Sequence, residues 1–243
     1  MSREGGPHPS GLSLAVVIPA FRAAAILPGV VERARRRAPA ARIFVVDDGS
    51  DDGTARAAEA AGATVLRHGE NRGKGRALAT GLAAAVEAGA DAVVTLDADG
   101  QHPPEAIPLL IEPIAAGTAD LVVGARARDA GTMPAGRRLT NWLSSTLVSR
   151  AVGFAVPDSQ SGFRAMRREV AARVRPAGAR YEFETEFLFL AARQGFRISA
   201  VAVPTVYEGA RSYFRYGADT LALAAVFLRH WRSILLGPEP MAR

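Results

Sequence analysis

The feature that most limits the fold of this 243-residue chain is a rhythm in which short apolar runs rich in Val and Ile alternate with longer segments rich in Ala and Arg. Apolar runs bounded by polar turn residues suit strands buried on both faces. The Ala-rich intervals suit helices, because Ala loses no rotamer freedom on becoming helical. Such an alternation makes a mostly parallel sheet with helices crossing between strands. The pattern predicts strands at Leu14–Pro19, Arg42–Asp47, Thr64–Arg67, Ala92–Asp97 and Leu121–Gly124, and helices at Ala23–Ala38, Thr54–Ala61, Gly75–Ala88 and Pro104–Ala116. The most apolar stretch, Leu12 to Val31, holds Pro19, Arg22 and Pro28, and so reads as strand, turn and helix rather than as a membrane span or signal peptide.

After Gly124 the rhythm breaks. A loop from Ala125 to Gly136 leads to a helix at Arg137–Val152, the segment Ser161–Arg167, a helix at Glu182–Gln194, a strand near Ile198–Val203 and a last helix from about Ala218 to Leu236. There is no internal repeat. Residues 1–11 read as a flexible tail and 12–236 as one α/β domain, with a regular half at 12–124, a less regular half at 125–217 and a terminal helix at 218–236.

Charge divides the chain in the same place. Of 30 cationic residues 29 are Arg, and the only lysine is Lys74. Residues 1–120 carry a net charge of −3 and residues 121–243 a net charge of +9. A basic half attracts phosphorylated or anionic partners. It lacks the aromatic interleaving of a nucleic-acid module, so no nucleic-acid partner is expected. The absence of cysteine excludes disulfides, thiolate metal sites and a Cys nucleophile, and suits a cytoplasmic location.

In open α/β sheets ligands bind beyond the carboxyl ends of the strands. Here three of those ends are polar: Pro19-Ala20-Phe21-Arg22, Asp47-Asp48-Gly49-Ser50-Asp51-Asp52-Gly53-Thr54 and Asp97-Ala98-Asp99-Gly100-Gln101-His102. Asp51, Asp52 and Thr54 suit caps of the following helix. Asp47 and Asp48 close a buried strand, where a carboxylate can accept from a nucleobase or ribose. Asp97 and Asp99, spaced i and i+2 with Gln101 beyond, offer hard oxygen ligands to Mg²⁺ or Mn²⁺ shared with substrate phosphates. Lys74 lies in a Gly-bearing loop that opens a helix and can present amides and cations to an anion. The spacing is not that of a Walker loop, and no G-x-G-x-x-G follows the first strand, which weighs against an NTPase and a dehydrogenase.

Taken in order, Val17-Ile18-Pro19, Val45-Val46-Asp47-Asp48-Gly49-Ser50, Asn71-Arg72-Gly73-Lys74-Gly75, Leu96-Asp97-Ala98-Asp99-Gly100-Gln101-His102 and Ser161-Gly162-Phe163-Arg164 resemble the inverting family-2 glycosyltransferases. The resemblance is to the dolichyl-phosphate mannose synthase-like branch, which moves a sugar from a nucleotide diphosphate donor to a polyprenyl phosphate. It covers roughly residues 12 to 215. It implies a single-domain glycosyltransferase A fold, Rossmann-like, with the nucleotide sugar in residues 12–124 and the acceptor in 125–217. It assigns Pro19, Ala20, Asp47, Asp48, Lys74 and Asp97 to the nucleotide sugar, and Asp97, Asp99 and Gln101 to the metal and diphosphate. Arg126, Arg137 and Arg138, with Ser161 and Arg164, fall to the acceptor, and Asp99, Arg126 and Arg137 to catalysis. The family's usual Asn and acidic residue after the first strand are replaced by Arg22-Ala23.

A phosphate acceptor is already ionised and needs only orienting cations, whereas a hydroxyl acceptor on a saccharide or lipid needs a general base. Asp158, Glu182 and Glu184 are the candidate bases. The two glutamates also suit a helix N-terminus. A third reading, a non-catalytic nucleotide-sugar-binding protein, finds support only in the Arg22-Ala23 corner. In the last helix Leu221, Leu223, Phe227, Leu228, Trp231, Ile234 and Leu235 fall on one arc beside Arg229 and Arg232. This arc suits either the bilayer interface on the inner face of the membrane or a packing or homodimer contact.

Overall fold

The computed structural model describes residues 11–126, 135–204 and 216–236; within these, the side chains of residues 135–143, 216–219, 233 and 236 are not described. Seven strands, β1 (Leu14–Ala20), β2 (Arg42–Asp47), β3 (Thr64–Arg67), β4 (Ala92–Thr95), β5 (Leu121–Arg126), β6 (Arg164–Arg167) and β7 (Ile198–Val203), form one sheet in the order β3-β2-β1-β4-β6-β5-β7. All neighbours are parallel except β6, which runs antiparallel to both β4 and β5. Strand β6 explains why the second half breaks the rhythm. The chain comes back antiparallel between β4 and β5, in a four-residue segment too short to show a period.

Strand alternation sends side chains to two cores. Val16 and Ile18 meet α1 (Leu27–Arg37) and α4 (Ile107–Ala115, after one 3₁₀ turn). Ala15 and Val17 face α3 (Lys74–Glu87), α5 (Ala135–Val152), α6 (Arg168–Arg173) and α7 (Glu182–Arg193), where Phe183, Phe187 and Phe189 are buried. Complete burial of such aliphatic and aromatic side chains contributes roughly 1.5–3 kcal/mol each, so the strand pattern alone drives this layered arrangement.

Three elements depart from expectation. Helix α1 begins at Leu27, not Ala23, because residues 21–24 are tied to the loop before α2 (Thr54–Ala60): Ser50 Oγ, Thr54 Oγ1 and Asp52 Oδ2 accept from the amides of Arg22, Ala23 and Ala24. Thr54 and Asp52 therefore stitch two loops together, and the N-cap of α2 is Gly53. The last helix is two, α8 (Tyr216–Arg229) and α9 (Trp231–Leu236), interrupted at His230, whose buried ring stacks on Phe189 at 4.8 Å. The change of direction lets Ile234 reach α5, where its carbonyl accepts from Arg150 Nε at 3.1 Å. Consequently Leu223 and Ile234 are buried while Leu221, Leu228, Trp231 and Leu235 stay exposed, so the expected single apolar arc is divided between core and surface.

Candidate active site

The ends of β2, β1 and β4 lie side by side at the point where the chain switches from one side of β1 to the other, the place where open α/β sheets bind ligands. Two carboxylate pairs meet here, and they are treated differently.

At the end of β2, Asp48 is consumed internally. Its Oδ1 accepts from Arg72 N at 3.0 Å and lies 2.6 Å from His68 Nδ1, while Oδ2 accepts from Gly73 N at 2.8 Å. His68 Nε2 in turn lies 3.0 Å from Thr80 Oγ1 on α3. Asp48, expected at the nucleoside, thus also staples the loop that leads into α3. Asp47 accepts from Ser50 N at 3.0 Å and faces Arg67 Nε at 3.6 Å, beside an open groove of about 470 Å³ lined also by Asp51, Thr54, Arg56 and Glu59. Pro19 and Ala20 are buried in register with Val46 and Asp47, and Ala20 O accepts from Asp48 N. At the Arg22-Ala23 corner Arg22 takes a positive φ of 50° and makes a bidentate pair with Asp51 at 2.9 and 2.7 Å.

The loop around Lys74 does not form the amide cradle its glycines suggested. The amides of Gly75 and Arg76 donate to Ala179 O at 2.7 and 3.3 Å, which leaves neither pointing at a ligand. A Cβ on Gly73 would stand 2.4 Å from the same carbonyl, and one on Gly75 2.8 Å from Gly178 O and Phe183 Cβ. The glycines are there for this close approach. What the loop delivers is the Lys74 ammonium, 2.7 Å from Asp97 Oδ1 and 2.8 Å from Glu184 Oε1, with the Tyr181 ring 5.7 Å away. Burial works against that ammonium, but Asp97 and Glu184 outweigh it and hold its pKa above the usual lysine range.

At the end of β4, Asp97 and Asp99 sit close together. Burial opposes ionisation of Asp97, yet Lys74 and the other nearby cations keep its pKa below the ordinary carboxylate range. Asp99 shows the reverse: burial and the neighbouring Asp97 charge raise its pKa, outweighing a backbone bond from Gln101 N at 3.0 Å and the charges of Lys74 and Arg126. An i, i+2 pair in which one carboxylate resists ionisation fits a site that a cation would relieve. A Cβ at Gly162 would fall 2.5 Å from Asp97 Oδ1, so only glycine lets this carboxylate lie where it does. No cluster of three or more Asp, Glu, His or Cys suited to a metal occurs among the described residues. An all-oxygen pair that leaves most positions to phosphate and water is how Mg²⁺ is commonly held. The residues thus fit a divalent cation bound jointly with a diphosphate. Next to them His102, 2% exposed, packs on Phe163 with Nδ1 lacking a partner among the described residues, and burial lowers its pKa to about 4.

On the side expected to hold the acceptor, Arg126 at the end of β5 makes a bidentate pair with buried Asp158, Nε to Oδ2 at 2.5 Å and Nη2 to Oδ1 at 3.1 Å. Arg137 and Arg138 lie in the first turn of α5, but their side chains are outside the described residues. Two further residues expected at the acceptor, Arg164 and Ser161, have internal partners. Arg164 is 3% exposed and donates to the carbonyls of Ser161, Glu184 and Ser159 at 2.9, 2.8 and 3.0 Å; burial lowers its pKa to about 10. Ser161 Oγ donates to Gly124 O at 2.6 Å. Both hold the segment before β6 in place. Glu182 and Glu186 likewise accept from amides of residues 177–180, and Glu186 also pairs with Arg229. The residues that sequence reasoning missed are His68, Thr80 and the carbonyl of Ala179. His68 follows β3, and so a strand end was its only signal.

With the geometry in place, the chain can be compared with known proteins. Residues 15–175 match the model of glycosyl transferase family 2. An undecaprenyl-phosphate mannosyltransferase of Micrococcus luteus is 34% identical over 78% of this chain and 82% of its own. A UDP-N-acetylglucosamine–dolichyl-phosphate N-acetylglucosaminyltransferase of Methanococcus voltae is 31% identical over 79% of this chain and 85% of its own. Among solved structures, glucosyl-3-phosphoglycerate synthase from Mycobacterium tuberculosis, in complex with Mn²⁺ and UDP-glucose, superposes with a TM-score of 0.70. It is 26% identical and the match covers 91% of this chain and 79% of that one.

Proposed function

The chain belongs to glycosyl transferase family 2 and is a glycosyltransferase of A-type fold, and on that premise we propose that it transfers a sugar, with inversion, from a nucleotide diphosphate donor to the phosphate of a polyprenyl phosphate. The observation that carries the choice of acceptor is the fate of the candidate bases. Asp158 is locked in a bidentate pair with Arg126, and Glu184 is paired with Lys74, so neither is placed to take a proton from a hydroxyl. A phosphate monoester needs none. Its oxygen attacks the anomeric carbon directly while arginines orient it.

Asp97 and Asp99, with Gln101 beside them, would hold Mg²⁺ or Mn²⁺ against the donor diphosphate, where the cation supplies Lewis-acid stabilisation of the charge that builds as the bond to the sugar breaks. Lys74 keeps Asp97 ionised and fixed. Asp47 and the groove beside it suit the nucleoside. Arg126, held rigid by Asp158, presents a preset guanidinium to the acceptor phosphate with Arg137 and Arg138 on the adjacent helix. A guanidinium held in place by an ion pair loses less entropy on binding than a free one.

No helix among the described residues is long and apolar enough to cross a membrane. Leu221 and Leu228, each 73% exposed, with Trp231, Leu235 and Arg232, form an apolar and basic face suited to the cytoplasmic surface of a bilayer. Co-sedimentation with anionic vesicles, lost in Leu228→Ser and Trp231→Ser, tests this; a concentration-dependent dimer lost in the same variants would instead make the face a contact between copies.

The test of the reaction is a panel of nucleotide sugars offered with Mg²⁺ to a short polyprenyl phosphate and to the matching polyprenol. Transfer to the phosphate alone is expected. Equal transfer to the alcohol would defeat the proposal.

A further inference from the structure

We propose that Glu184 is a positioning residue for the cation–diphosphate end of the site and acts through Lys74. It is the second counter-ion that pins the ammonium against Asp97 Oδ1, and it thereby sets the oxygen that Asp97 presents beside Asp99. The inference rests on the reading that Asp97 and Asp99 hold a divalent cation.

Three glutamates project from the first turns of α7, and their surroundings differ. Glu182 and Glu186 accept from backbone amides of the preceding loop, the ordinary work of carboxylates at a helix start. Glu184 lies between them, is 2% exposed, and accepts from no backbone amide among the described residues. A buried carboxylate that no amide satisfies is costly unless a cation answers it. What offsets its charge is Lys74 Nζ at 2.8 Å, itself 2.7 Å from Asp97 Oδ1.

The ammonium therefore sits between two carboxylates from different parts of the chain, flanked by the Tyr181 ring. With Asp97 alone the pair would be neutral, and Lys74 would have no reason to stay at this depth once a cation approached. Glu184 gives it one. Gly162 closes the other side of Asp97, so the carboxylate is held from two directions.

The experiment is a Mn²⁺ titration of the full chain followed by electron paramagnetic resonance, with the metal alone, on the wild type, Glu184→Gln, Lys74→Met and the double variant. Glu184→Gln is expected to weaken Mn²⁺ binding about tenfold, the usual effect of removing an outer partner of a metal ligand. In the Lys74→Met background the same change is expected to cost less than about twofold, because the path is already cut. Turnover of Glu184→Gln should recover at saturating Mn²⁺, which neither a lost base nor a misfolded protein would do. Wild-type affinity in Glu184→Gln, an undiminished effect in the Lys74→Met background, or a turnover loss that Mn²⁺ does not relieve would each overturn the inference. If the wild type itself fails to bind Mn²⁺ the metal reading falls, and this inference with it. Near-UV circular dichroism monitors folding, and Glu184→Asp, which withdraws the charge by one methylene, gives a second variant expected to bind Mn²⁺ at an intermediate level.

Discussion

Two carboxylate pairs stand at the ends of neighbouring strands, β2 and β4, and the protein does opposite things with them. Around Asp47 and Asp48 every charge is answered from within: amides of Ser50, Arg72 and Gly73, and His68 braced by Thr80. Around Asp97 and Asp99 the answers fall short. Among the described residues Asp99 has one backbone donor, its ionisation is opposed by burial and by Asp97, and the nearby His102 has a ring nitrogen without a partner. Asp48 builds the loop that carries Lys74, and Asp97 with Asp99 spends the stability that such stitching provides. The contrast separates Asp48, as scaffold, from Asp97 and Asp99, as the proposed reaction centre, more sharply than residue type can.

The largest effect should come from breaking the poised pair. Asp99→Ala is expected to lower turnover roughly 10³-fold, since a cation on a developing diphosphate charge is worth several kcal/mol. It should leave the unfolding midpoint unchanged or raise it, because a buried, repelled carboxylate is removed; initial-rate assays beside thermal melts check both. Asp48→Ala should behave in the opposite way. It strands the Arg72 and Gly73 amides, and a loss of roughly 2–4 kcal/mol of stability is expected from urea unfolding, with the melting temperature down by about 5–10 °C.

A third effect follows from His102. Its pKa is lowered to about 4 in the fold from an ordinary value of 6.5. The folded state therefore binds that proton less readily than the unfolded chain. Stability from the neutral ring is fully present above pH 6.5 and is lost as the pH falls towards 4, amounting to roughly 3 kcal/mol. Unfolding free energies of the metal-free protein between pH 7 and 4 should show this decline, and His102→Phe, which keeps the packing on Phe163, should flatten it. The smallest effect belongs to Arg22→Ala at the unusual corner. The Arg22–Asp51 pair is solvent-exposed, and exposed pairs contribute little, so no resolvable change in the melting temperature is expected. A large change in donor KM there would instead place Arg22 at the nucleotide.

Much of the fold could be read directly. Every strand expected in the first half forms within two residues of its expected ends, since Val- and Ile-rich runs between Ala-rich segments carry a local signal. Strand β6 could not be read so, because four residues show no period and its antiparallel place is set by β4 and β5. The start of α1 was lost for the same reason: side chains of Ser50, Asp52 and Thr54, distant in sequence, decide where it begins. The site divides likewise. The motifs identified which residues surround the crevice, but the three carbonyl partners of Arg164 and the pairing of Asp158 with Arg126 are long-range contacts that no motif encodes.

By itself, then, the amino-acid sequence determined the strand–helix alternation, the glycosyltransferase membership and the position of the carboxylates at strand ends, since periodicity and motif spacing are local properties. Only the tertiary structure decided which of those carboxylates are satisfied and which remain poised. A carboxylate in this fold is quiet or reactive according to the amides and cations brought against it from other strands and helices, and the pairing of Lys74 with both Asp97 and Glu184 exists only once α3, β4 and α7 have packed.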